Sequence, residues 1–209
     1  MSKGEAISGL IESAVEEFSR HGYEGASLRA IAAGAGVPLS TIDRYFGTKA
    51  ALYAAVEQHV WDEINDERDR LLCAALLVDP PRLDAIMRAL TAPVVSRAVG
   101  DEEQRSTVEL LRSSVATRRL LGINAPTLRG HARMSQRFVG AIRQALPNLS
   151  QSTSTWAYSF AIGSLYSWQL MDHFYDGLMQ GEPDRSPEEV TDLLVTFVCG
   201  GLQALDGAR

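Results

Sequence analysis

The 209-residue chain has room for one large domain or a small one joined to a larger one, and 45% hydrophobic with 22% charged residues is the profile of an ordinary globular protein. Its formal charge of −6, split as −1 over residues 1–50 and −5 over the rest, gives no bulk support to nucleic-acid binding, so any such role must rest on where particular charges sit. The opening run Met1–Leu10 is too mixed for a signal peptide, no stretch is expected to be long enough to span a bilayer, and a cytoplasmic protein without membrane association is expected.

Ile7, Leu10, Ile11, Ala14, Val15 and Phe18 recur at three- and four-residue steps and predict a first helix. It should end near His21–Gly22, where glycine can supply a left-handed closing residue. Ser27 stands where an N-cap belongs, ahead of Leu28, Ile31, Ala32 and Ala35. Gly36 breaks this second helix, and Pro38 suits the first turn of a third because its missing N–H costs nothing there. Thr48 is the expected cap of a longer fourth helix through Leu72, with Leu52, Val56, Val60 and Ile64 as its stripe and Asp79-Pro80-Pro81 as its stop. Further helices are expected at about 82–98, 102–119, 126–146, 151–179 and 187–206. The last begins on a capping box, with Ser186 before Pro187 and Glu189 three residues on. With no alternating pattern anywhere, the expected class is all-α with about nine helices.

Residues 27–46 read SLRAIAAGAGVPLSTIDRYF. Two short helices joined through Gly36, with Ala32 and Ala35 allowing close approach, make a helix-turn-helix whose core is Leu28, Ile31, Val37, Ile42 and Phe46. Ser40, Thr41, Asp43, Arg44 and Tyr45 are left partly outward, and hydroxyls, a guanidinium and a phenol on a short helix suit a major groove and its phosphates. Arg29, Ser40 and Arg44 are candidates for base-edge or phosphate contacts.

Ile31-Ala32-Ala33, Ala35-Gly36-Val37, Thr41-Ile42, Tyr45-Phe46, Thr48-Lys49 and Leu52 together make residues 5–55 resemble the N-terminal part of the TetR (tetracycline-repressor) family of regulators. The resemblance implies that Ser27, Thr41, Tyr45 and Lys49 hold phosphates of a double-stranded operator, with the amides at the start of the fourth helix. A helix N-terminus without a carboxylate in its first turn, as in Lys49-Ala50-Ala51, favours an anion on physical grounds as well. The sequence departs from the family at Pro38-Leu39, where a polar pair is more usual, and at Asp43, where an aromatic residue or histidine is common. Asp43 is repelled by phosphates, yet it can accept from a cytosine amino group or pair with Arg44.

The resemblance further implies a DNA-binding domain over residues 1–47 and a helical effector-binding and dimerisation domain over 48–209. For a homodimer, Trp156, Phe160 and Gly163 form a stripe on the eighth helix and Leu194, Phe197 and Gly201 one on the last. Two such helices per subunit can build a four-helix bundle, the alternative being that both stripes face their own core. For a small-molecule effector, Trp61, Glu109, Arg112, Phe138, Trp168 and Met171 have the mixed apolar and polar character of a ligand site, but ordinary packing or solvation explains each as well. Cys73 and Cys199 are expected to be reduced thiols, and His59, His131 and His173 show no metal-ligand interval. Neither metal, cofactor nor catalytic residue is expected. A ligand-responsive repressor is the leading expectation; a helical interaction protein that has lost DNA affinity is the alternative, and an enzyme finds no nucleophile-base pair or phosphate loop to support it.

Overall fold

A computed structural model describes residues 2–121, 129–170 and 185–207. Among them are nine helices and no strand: α1 (Lys3–Gly25), α2 (Leu28–Gly34), α3 (Ser40–Tyr45), α4 (Lys49–Ala75), α5 (Leu83–Ala98), α6 (Glu102–Leu121), α7 (Arg129–Ala145), α8 (Gln151–Leu170) and α9 (Pro187–Gly207). They fall into two compact units, Met1–Glu63 with Gly100–Leu128 and Ile64–Val99 with Arg129–Arg209. Residues 171–179 of the expected eighth helix, Met171 among them, lie outside the described residues.

In the first unit α1 packs on α2 and α6. Its periodic face buries Ala6, Leu10, Ala14 and Phe18, and Ser2 opens it with a capping box closed by Glu5. The chain leaves helical geometry at Gly22 (φ 65°, ψ 177°), as the glycine signal implies, then makes one more turn to Gly25. Phe18 meets Tyr53 edge-on at 5.0 Å, and Tyr23 meets the same ring at 5.4 Å. Phe18 and Tyr53 are buried, as are Ile31, Ile42, Leu52 and Val56, and Tyr23 is half-buried.

The second unit has one apolar cluster, in which Leu72, Ile86, Leu90, Phe138, Ile142, Ala157 and Val198 meet. α5 lies against α7, α8 and α9, and runs through a buried Pro93. The Pro93 carbonyl accepts from Arg97 at 2.7 Å, and Arg97 also pairs with Glu67 at 2.6 Å. Arg68 is buried in this unit, where its Nε donates to the Leu90 carbonyl at 3.0 Å. Burial pushes its guanidinium down from the usual value; the neighbouring Tyr158 and Tyr166 act the other way, and Arg97 adds to the lowering.

One expectation needs correcting. α9 has 21 residues, and an 18-residue stretch of it reaches a mean hydropathy of 1.2, so by length and composition it could cross a membrane. Its Thr191, Val195, Val198 and Leu202 are instead buried against the unit's own helices. Helices that supply both a core and a second apolar face reach such hydropathy without lipid.

Candidate DNA-contacting surface

The reading head is built from two tight breaks and one buried anchor. Gly36 (φ 64°) and Gly47 (φ 74°) take left-handed conformations on either side of α3, which a residue with a Cβ adopts only at a cost. α3 starts two residues later than Pro38, because the Pro38 carbonyl takes the Thr41 amide at 2.9 Å and the Leu39 carbonyl takes the Ile42 amide at 3.0 Å. A tight turn therefore precedes the helix. Ile42 is fully buried, which turns Ser40, Asp43 and Arg44 outward and leaves Thr41 and Tyr45 half-buried. α2 is pinned from behind: Ser13 Oγ donates to the Ile31 carbonyl at 3.0 Å, and a Cβ at Gly34 would collide with that hydroxyl. Gly34 thus sits where α1 and α2 pack tightly against each other.

Ser27 caps α2 by accepting from the Ala30 amide at 3.3 Å, while its own amide donates to Glu17 at 2.8 Å. Arg29 is exposed in the first turn of that helix. Thr48 caps α4 through the Ala51 amide at 3.1 Å, and no acidic residue occupies the first turn. Lys49 turns back across this corner. Its Nζ donates to the carbonyls of Ala26 at 2.6 Å and Glu24 at 3.2 Å and stands 5.1 Å over the Tyr23 ring. It thereby ties the end of α1 to the start of α4.

Sequence reasoning missed the first turn of α1. Ser2 and Lys3 face Ser40, Thr41, Arg44 and Tyr45 across a concave surface of about 360 Å³. Lys3 Nζ stands 5.9 Å over the Tyr45 ring and the Arg44 guanidinium 5.5 Å over it. Several carboxylates of α1 have partners of their own. Glu5 holds the Ser2 amide at 2.6 Å, Glu12 the Ser8 hydroxyl at 2.9 Å, and Glu16 shares Arg20 with Glu102 of α6, each at 2.9 Å. Those contacts hold Arg20 above its usual value, the Glu102 hydrogen bond most of all. The net negative charge of residues 1–50 thus coexists with cations gathered around α3, and Asp43 is the one carboxylate on that helix.

Comparison with known proteins agrees with this geometry. The model of the N-terminal domain, "Bacterial regulatory proteins, tetR family", matches residues 10–56, and that of a "Tetracyclin repressor-like, C-terminal domain" matches residues 88–201. The chain belongs to the TetR family. It is a DNA-binding transcription regulator of that family, with a helix-turn-helix made of α2 and α3. The HTH-type transcriptional regulatory protein RaaS of Mycobacterium tuberculosis is 42% identical over 57 residues, 27% of this chain and 26% of that protein, so the likeness spans about a quarter of that relative. Among solved structures, the fatty acid degradation regulator FadR of Bacillus halodurans superposes with a TM-score of 0.69 at 19% identity, over 97% of this chain and 98% of that one. AibR, solved with isovaleryl coenzyme A and operator DNA, gives 0.61 at 15% identity, over 92% and 97%.

The remaining site candidates scatter. Trp61, Glu109 and Arg112 lie in the first unit, where Arg112 pairs with Glu109 at 2.7 Å along α6. Phe138 is fully buried in the apolar cluster of the second unit, 6.3 Å from the Tyr158 ring. The Trp168 side chain lies outside the described residues. Of the dimer candidates, Trp156 (62%), Phe160 (59%) and Phe197 (73%) are exposed, with Gly163 and Gly201 beside them, and Leu194 is half-buried. Leu193 and Leu205 share the open side of α9, whereas Val198 belongs to the core.

Proposed function

We propose that this regulator is a cytoplasmic repressor that binds an operator as a homodimer and is released by a small molecule. Residues 1–47 serve as the DNA-binding domain, in which Ser27, Arg29, Ser40, Thr41, Arg44, Tyr45 and Lys49 meet phosphates or base edges. Residues 48–209 bind the effector and dimerise. The observation that carries the reading is the exposed polar face of α3, held out by a fully buried Ile42 and flanked by cations. Such a face suits a major groove. AibR, similar in fold, is solved with both isovaleryl coenzyme A and operator DNA, which supports a regulator of this fold taking a small molecule as well as DNA.

For dimerisation the support is the apolar outer side of α8 and α9. Trp156 stacks on Phe160 at 5.9 Å, both exposed, and Leu193 and Phe197 stand open on α9. Contiguous exposed aromatics of this kind mark an interaction surface, and a second copy of the same two helices completes a four-helix bundle. Release requires the effector to bind one arrangement of the two heads more tightly than the other. Of the effector candidates, Trp61, Glu109 and Arg112 belong to one unit and Phe138 to the apolar core of the other, where packing accounts for it.

A mobility-shift titration of duplexes selected from a random pool tests the proposal. Specific binding by a dimer that weakens as salt rises is expected, and retention of no duplex at low salt would overturn it. That last outcome would favour an interaction protein with lost DNA affinity, for which the exposed Asp43 on α3 is the motivating feature.

A further inference from the structure

We infer that Lys3, on the first turn of α1, is a further DNA-contacting residue that neutralises a backbone phosphate beside α3. The inference rests on the DNA-binding role of α3 and adds a cation from outside the helix-turn-helix. Three observations carry it.

First, the ammonium is in the right place. Lys3 lines the same concave surface as Ser40, Thr41, Arg44 and Tyr45, and its Nζ stands 5.9 Å over the Tyr45 ring. A phosphate accepting from the Thr41 or Tyr45 hydroxyl would sit within reach of a lysine side chain so placed.

Second, its position is built rather than incidental. Ser2 and Glu5 close a reciprocal capping box around the start of α1, and Ala6 and Leu10 anchor the following turn in the core. Glu5, the carboxylate of that same turn, is drawn back onto the Ser2 amide at 2.6 Å. Lys3 itself is exposed.

Third, the local charge suits an anion. Lys3 and Arg44 stand over one phenol ring, brought there by two different helices. Ring faces attract each cation, and a phosphate bound at this surface would be attracted by both. Lys49, the other lysine of the chain, is held by the carbonyls of Ala26 and Glu24 and does not line this concave surface.

The test uses full-length protein and a duplex that the wild type selects from a random pool. Affinity is measured for wild type, Lys3→Gln and Lys3→Arg across a salt series. Neutralising one phosphate per protomer contributes about 0.9 to the slope of log affinity against log salt, so a dimer of Lys3→Gln loses about two units of slope. Between about 50 and 200 mM salt its affinity then falls roughly ten-fold less than that of the wild type. Lys3→Arg should keep the wild-type slope, and thermal melting of all three should coincide. A wild type that binds and a Lys3→Gln slope that matches it would overturn this inference alone, as would a loss of slope in Lys3→Arg. A wild type that selects no duplex would overturn the DNA-binding role of α3 as well.

Discussion

The outer face of α3 and the outer side of α8 and α9 are both exposed, and they differ in chemistry. Around α3, solvent meets hydroxyls, two cations and a phenol (Ser40, Thr41, Lys3, Arg44, Tyr45). On α8 and α9 it meets Trp156, Phe160, Leu193, Phe197 and Leu205. Each helix is anchored by buried apolar residues on its inner side: Ile42 on α3, Ala157 and Leu165 on α8, Val195 and Val198 on α9. Folding is therefore provided for by the inner faces, and the outer faces are free to differ. Hydration favours the first as it stands, whereas the second gains from being covered.

That contrast can be broken from the inside first. Phe18→Ala removes a fully buried ring that packs edge-on against Tyr53, and should cost about 3–5 kcal/mol in urea unfolding. Phe160→Ala, on an exposed ring, should leave the unfolding of the isolated protomer nearly unchanged; equal losses would mean that inner and outer faces are not distinct. Next comes the apolar outer side. Phe197→Asp should weaken self-association roughly a hundred-fold in sedimentation equilibrium, because a charge would be buried in the bundle. An undisturbed dimer would move the interface off α9.

The polar face should respond more gently. Thr41→Ala or Tyr45→Ala is expected to weaken operator binding roughly ten-fold without dissociating the dimer, the order of one hydrogen bond to a charged group. Unchanged affinity in the mobility-shift assay would remove that residue from the contact set. The smallest effect distinguishes the two sides of α9. Burial, aided by the nearby Asp84 carboxylate, pushes the Cys199 thiol up to about 11. At pH 8 it keeps its proton, so native protein treated with iodoacetamide should be alkylated at the exposed Cys73 and spared at Cys199. Equal labelling by mass spectrometry would place Cys199 on the open side.

Much of this was legible in the residue order. The stripe Leu10, Ala14, Phe18 on α1 and the capping residues Ser27, Thr48 and Ser186 mark their helices because periodicity and cap chemistry are local. The aromatic stripe Trp156–Phe160 could be read as a stripe, but not as outward or inward. Buried charge could have been found and was not. Arg68 stands four residues after Ile64 and four before Leu72, on the stripe itself, and the structure buries it with them.

By itself the sequence determined the all-α class, the breaks around α3 and the family pattern from Ile31 to Leu52, since each depends on neighbours within a few turns. Tertiary structure decided what distance along the chain conceals. It brought Lys3 to Tyr45 across more than forty residues, turned Lys49 onto the end of α1, and sent Val198 inward while leaving Phe197 out. Net charge could not foresee the first of these. Attraction and repulsion depend on separation in space, and only packing sets that separation.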